Sequence, residues 1–209
     1  MVENYSADGK KLISQRTISK ELNIFGGFYS GKDYNYLVFG QNNTSESDSK
    51  EVVRVVKYTK SWSKVNSCSI SGVNTTKPFS AGSLRMEEVG GKLYVYTCHE
   101  MYADSDGINH QANMLFTIDE SSMSLTDSMY DVSNLTDGYV SHSFNQFIKA
   151  DESGKYIYRV DHSESSNYTM NGSYLSVNGI TLTKYKADGK STAVSVSIPV
   201  KFDMNKSNY

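Results

Sequence analysis

The sequence predicts an all-β chain built from β-propeller-type blades, each a four-stranded antiparallel unit. Three observations carry this. The composition favours strand: of 209 residues sixteen are Tyr, eight are Phe and only two are Pro, the bias that half-exposed sheet requires. One strand pattern recurs three times. No segment sustains an apolar period of about 3.6 residues between helix caps.

The recurring pattern is clearest in what the alignment makes the second strand of each blade. Gly91-Lys92-Leu93-Tyr94-Val95-Tyr96-Thr97-Cys98-His99-Glu100 matches Gly154-Lys155-Tyr156-Ile157-Tyr158-Arg159-Val160-Asp161-His162-Ser163. An earlier copy is Asn35-Tyr36-Leu37-Val38-Phe39-Gly40-Gln41-Asn42. Each follows a Gly, Asn or Asp turn. His99, His162 and Asn42 coincide in this alignment. First strands are expected at Phe25–Tyr29, Ala81–Met86 and Ser141–Gln146, opening on small residues that let neighbouring sheets pack closely. Third and fourth strands are expected at Val52–Tyr58 with Trp62–Val65, at Asn113–Asp119 with Met123–Leu125, and at Ile180–Tyr185 with Thr192–Val196. Tyr5-Ser6-Ala7-Asp8-Gly9-Lys10 repeats as Tyr185-Lys186-Ala187-Asp188-Gly189-Lys190. The chain is therefore read as opening with the outer half of a blade.

This gives a single domain over 1–209, divided into the end of a preceding blade (1–22), three blades (23–72, 78–134 and 138–199) and a tail or next strand (200–209). The polar stretches 42–50, 102–110 and 163–173 are read as loops between second and third strands. Propellers close with about four to eight blades, so three and a half blades imply a longer protein, a homodimer that completes the ring, or a pinched four-blade ring in which Tyr5–Ile18 pairs with Val200–Met204.

Net charge is −2 with 21% charged residues, which offers no general attraction to nucleic acid or to anionic membranes. No apolar run approaches the roughly 20 residues needed to span a bilayer, and no basic and apolar leader opens the sequence. Cys68 and Cys98 are too few for a disulfide scaffold, and free, partly buried thiols are expected.

If the strands run from the axis outward, the loops after each second strand share a face with the starts of the first strands. The four histidines then project to one face: His99, His110 and His162 from loops, and His142 from the start of a first strand. Asn113, Asn145, Glu100 and Tyr102 join them as candidate ligand-binding residues. His99, His142 and His162 are the candidate ligands should a divalent metal be held, since imidazole suits zinc, copper, nickel or iron. No cofactor is otherwise predicted, and no His-x-x-x-His or Cys-x-x-Cys spacing is present. Asp104-Ser105-Asp106-Gly107-Ile108-Asn109 resembles half a calcium loop but lacks the later bidentate Glu, so it reads as a surface turn. No Gly-x-Ser-x-Gly elbow and no phosphate loop occurs.

Phe25-Gly26-Gly27-Phe28-Tyr29, Thr97-Cys98-His99-Glu100-Met101-Tyr102, His110-Gln111-Ala112-Asn113-Met114 and Tyr139-Val140-Ser141-His142-Ser143-Phe144-Asn145-Gln146-Phe147 resemble signatures of a propeller-like repeat family. Its members are secreted or surface proteins of Gram-positive anaerobic bacteria. The likeness covers about 12–162; Asp161-His162-Ser163-Glu164 departs from the family's Asp-His-Gly-Asp. The resemblance implies an extracellular or cell-surface location and a longer parent protein. The function expected is a binding module for a glycan or a protein. The alternatives are a metal-assisted or acid/base hydrolase or lyase on the same His-lined face, and a structural spacer without a ligand.

Overall fold

The computed structural model describes residues 1–80, 82–131, 133–135, 138–140, 145–170, 173–190 and 193–201. Among these every regular element is a strand. The chain begins with a two-stranded hairpin, β1 (Val2–Tyr5) and β2 (Leu12–Arg16). The first sheet follows as β3 (Ile24–Ser30), β4 (Tyr34–Gly40), β5 (Glu51–Thr59) and β6 (Lys64–Ser71). A short β7 (Lys77–Pro78) leads to the second sheet: β8 (Arg85–Val89), β9 (Lys92–Ala103), β10 (Asn109–Asp119) and β11 (Ser124–Met129). The pair β12 (Ser133–Leu135) and β13 (Gly138–Val140) precedes the third sheet: β14 (Gln146–Ala150), β15 (Tyr156–Met170), β16 (Ser173–Lys186) and β17 (Ala193–Lys201). Each of the three sheets is an antiparallel meander in sequence order, and β7 adds to the far half of β9.

Alternation along the strands places the core between sheets. Tyr36, Val38, Val53 and Val55 of the first sheet pack against Leu93, Val95, Met114, Phe116 and Ile118 of the second. The opposite face of the second sheet, with Tyr94, Tyr96 and Leu115, packs against Ile148, Ile157 and Tyr185 of the third. The remaining face of the first sheet holds Leu37, Phe39, Val56 and Tyr58 under Ile18, Leu22 and Trp62. Small residues permit close approach, as at Gly26 and Gly40, where a Cβ would come within 2.6 Å of the Phe79 ring. The paired turns match: Gly9 and Gly189 both have positive φ, at 72° and 88°. Asp8 and Asp188 each accept the backbone N–H two residues on, at 3.2 and 3.1 Å.

Three expectations need correction. First, the segment 163–173 is largely strand, because β15 runs to Met170 and β16 starts at Ser173, whereas 102–110 is a turn over 104–108 flanked by the end of β9 at Ala103 and the start of β10 at Asn109. His99, His110 and His162 therefore stand on strands. Both segments are made mostly of polar residues, so alternation gives no signal there. Second, the first strands begin later than expected, at Arg85 and Gln146; Val200 and Lys201 end β17, paired with β16, and start no new strand. Third, the repeat is out of register by one. Leu93 and Val95 face the preceding sheet, whereas in the third sheet Ile157, Arg159 and Asp161 do so. Tyr36 is thus equivalent to Tyr94 and Tyr158, and a one-residue slip exchanges the two faces of a strand.

Both cysteines are free and buried. Burial pushes the Cys68 thiol up to about 11 and the Cys98 thiol up to about 12, so neither supplies thiolate at neutral pH. Neither is expected to react with a disulfide reagent in the native chain, and both should react after denaturation; rapid native labelling of either would contradict this packing.

Candidate functional site

The predicted loop-face residues that are described do not converge on one pocket. The His99 ring is buried, with Nδ1 2.7 Å from the Thr75 hydroxyl and Nε2 2.7 Å from the Tyr130 carbonyl. A carbonyl only accepts, so Nε2 carries the proton and Nδ1 accepts from Thr75. Burial lowers the His99 pKa to about 4, and the ring is neutral. His110 is exposed on β10 and meets Asp106 at 2.8 Å in the Asp104–Ile108 turn. Glu100 pairs with Lys77 at 2.9 Å. Tyr102 accepts a bond from Asn43 at 3.1 Å. Asn145 is exposed just before β14. His142 and the His162 side chain lie outside the described residues. Among the described residues, no group of three or more His, Cys, Asp or Glu is placed to hold a metal.

Asn113 joins a buried polar network. Its Nδ2 lies 3.4 Å from Asp161 Oδ1, and its Oδ1 accepts from Gln146 Nε2 at 3.2 Å. Asp161 also accepts from the Tyr96 phenol and pairs with Arg159 Nε at 2.8 Å. This network bridges the second and third sheets and is closed to solvent: Arg159 is 1% exposed and Asp161 0%.

The open site lies at the other end of the sheets, where the turns β3–β4, β8–β9 and β10–β11 meet across the seam of the first two sheets. A cleft of about 690 Å³ is lined there by Lys32, Tyr34, Lys57, Glu88, Gly91 and Glu120, among others. Its floor is a pair of carboxyl groups. Glu88 accepts the Lys32 backbone N–H at 2.7 Å, and it lies so close over Gly31 that a Cβ there would collide with it. Glu120 accepts the Tyr36 phenol at 2.9 Å, and its backbone carbonyl accepts Lys57 Nζ at 2.6 Å. Burial, and the Glu88 carboxyl within hydrogen-bonding reach, raise Glu120 to about 7. Burial and Glu120 likewise push the Tyr36 phenol up, so it remains a donor. Lys57 lies 3.8 Å over the Tyr34 ring. At the rim Asp119, bonded to Lys92 at 2.7 Å and to Ser121 Oγ at 2.6 Å, is held well below the usual carboxylate range by Lys92 first.

The sequence reading passed over this cleft. Its trace is two acidic doublets, Glu87-Glu88 and Asp119-Glu120, each beside a turn at the same end of one sheet. The first sheet's turn supplies Lys32 opposite them. Comparison of the chain with family models and with curated proteins finds no match.

Proposed function

We propose that the chain is a secreted or surface-held binding module of propeller-type blades that holds a hydroxyl-rich ligand, a glycan, in the cleft between its first two sheets. The observation that carries this reading is the Glu88–Glu120 pair at the base of an open polar cleft. Carboxylates accept from sugar hydroxyls, and Lys32 at the same rim donates. The size is that of a small-ligand site. The three successive meanders, each packed on the next, support the blade reading. Carboxyls close enough to share a proton are nearer than the ~5–9.5 Å of glycoside-hydrolysing pairs, which favours binding over hydrolysis.

The test is calorimetric titration with neutral oligosaccharides chosen from a glycan array. At low pH the shared proton already bonds the two carboxyls to each other. Affinity should therefore rise several-fold between about pH 6 and about pH 8, and Glu120→Gln should flatten that rise. Glu88→Ala with Glu120→Ala should abolish binding. A bound glycan indifferent to both changes would place the site elsewhere and defeat the proposal.

The same pair predicts a pH effect on stability without ligand. The folded pKa of Glu120, about 7, exceeds its ordinary 4.5, so folding takes up a proton between these values. This stabilisation is complete below pH 4.5 and is lost as pH rises through 7. Allowing for solvent exposure, Glu120→Gln should raise stability at about pH 8 by ~1 kcal/mol and change little at about pH 4.5. Denaturant melts at the two pH values check this.

A further inference from the structure

We propose that the outward face of the third sheet, carrying Tyr156, Tyr158 and Lys184, docks a further β-sheet that presents a turn carboxylate to it. The first sheet shows how such a face is used. There Lys57 pairs across the strands with Tyr36 and lies 3.8 Å over the Tyr34 ring. The third sheet repeats the trio: Lys184 pairs with Tyr158 and lies 3.7 Å over the Tyr156 ring. In the first sheet the trio receives the β10–β11 turn, with the Tyr36 phenol on the Glu120 carboxyl and Lys57 Nζ on the Glu120 carbonyl. That contact buries Tyr36 completely and leaves Lys57 5% exposed. Tyr156, Tyr158 and Lys184 are only half-buried, and among the described residues no further four-stranded sheet packs on them. Val160 and Leu182 beside them are also half-buried, continuing the face that elsewhere makes the apolar seam.

Charge decides the occupant. In the first sheet the position equivalent to Glu120, three residues beyond Lys57, is Lys60. It sits over its own sheet's turn, bonding Ser30 Oγ at 3.1 Å and the Tyr34 carbonyl at 3.1 Å. A second copy docked head to tail would bring Lys60 toward Lys184, two like charges at a partly desolvated seam. The fitting partner is therefore a β-sheet with Glu or Asp at that turn, and not this chain itself.

The probe is a cyclised peptide copying Ile118–Met123, the turn that the first sheet accepts. Titrated into the whole chain, it should shift the NMR signals of the Tyr156 and Tyr158 rings and of Lys184. A peptide with Glu120→Gln should bind at least about tenfold more weakly. Lys184→Ala, at a half-exposed position, should keep the melting temperature and lose these shifts, while Lys184→Arg should keep them. Unmoved signals, or equal binding of the two peptides, would overturn the proposal. So would a dimer in light scattering that Lys184→Ala dissolves; the expected mass is that of one 23.3 kDa chain at about 100 μM.

Discussion

Replacing Arg159 with Met is expected to destabilise the fold by about 3–5 kcal/mol, the loss usual when one member of a buried ion pair is removed. The guanidinium stands on strand β15 in the seam between the second and third sheets. Its Nε lies 2.8 Å from Asp161, and it is flanked by the rings of Tyr96 and Tyr185 at 5.1 and 5.6 Å. Its Nη1 reaches Met129 Sδ at 3.6 Å. Burial alone would lower the Arg159 pKa, but the carboxylate of Asp161 outweighs it and raises the pKa. Without the guanidinium, Asp161 keeps Tyr96 and Asn113 as donors yet loses the buried cation 2.8 Å away. Asp161→Asn should cost a similar amount, because it removes the carboxylate that the buried cation faces. The double variant, Arg159→Met with Asp161→Asn, should be no less stable than either single one. Urea unfolding of the four proteins measures the coupling. Single losses under about 1 kcal/mol, or losses that simply add, would mean that the pair does not hold the seam.

How much of this was legible in the sequence differs from residue to residue. The sheet order was legible because turns are local: Asp8-Gly9 and Asp188-Gly189 use the same positive-φ glycine and the same Asp-to-backbone bond. The face assignments were not. Tyr, Val and Ile occupy both sides of strands buried on both faces, so aligning Leu93 with Tyr156 scores as well as aligning it with Ile157 while reversing what each side chain meets. That one step puts Asp161 on the face that carries His99 in the second sheet: His99 meets the first sheet and the Asp161 network meets the second. The cleft was hidden for another reason. Lys32, Glu88 and Glu120 come from three turns far apart in the chain, and only the packing of two sheets makes them neighbours. A charged residue beside a turn ordinarily signals solvent, and nothing local marks Glu120 as half-buried.

His99 tests whether an imidazole so placed is a strut of the core. At neutral pH, His99→Ala should cost about 3 kcal/mol, combining the cavity with the lost bond to the Tyr130 carbonyl. Thr75 loses less, since its hydroxyl also lies 2.9 Å from the Val73 carbonyl. The acid side is more diagnostic. The folded pKa of about 4 lies below the ordinary 6.5, so the unfolded chain takes up this proton first. The stabilisation from keeping the ring neutral is complete above pH 6.5 and is lost as pH falls toward 4, about 3 kcal/mol in all. Glu120 acts with the opposite sign over an overlapping window, so the wild-type profile alone cannot separate them. The difference between wild type and His99→Ala can, because the Glu120 contribution cancels when the cleft is unchanged. That difference should shrink steadily from about pH 6.5 to about pH 4. A difference constant with pH would mean that the ring takes up its proton as readily in the folded chain as in the unfolded one, and is therefore reached by solvent.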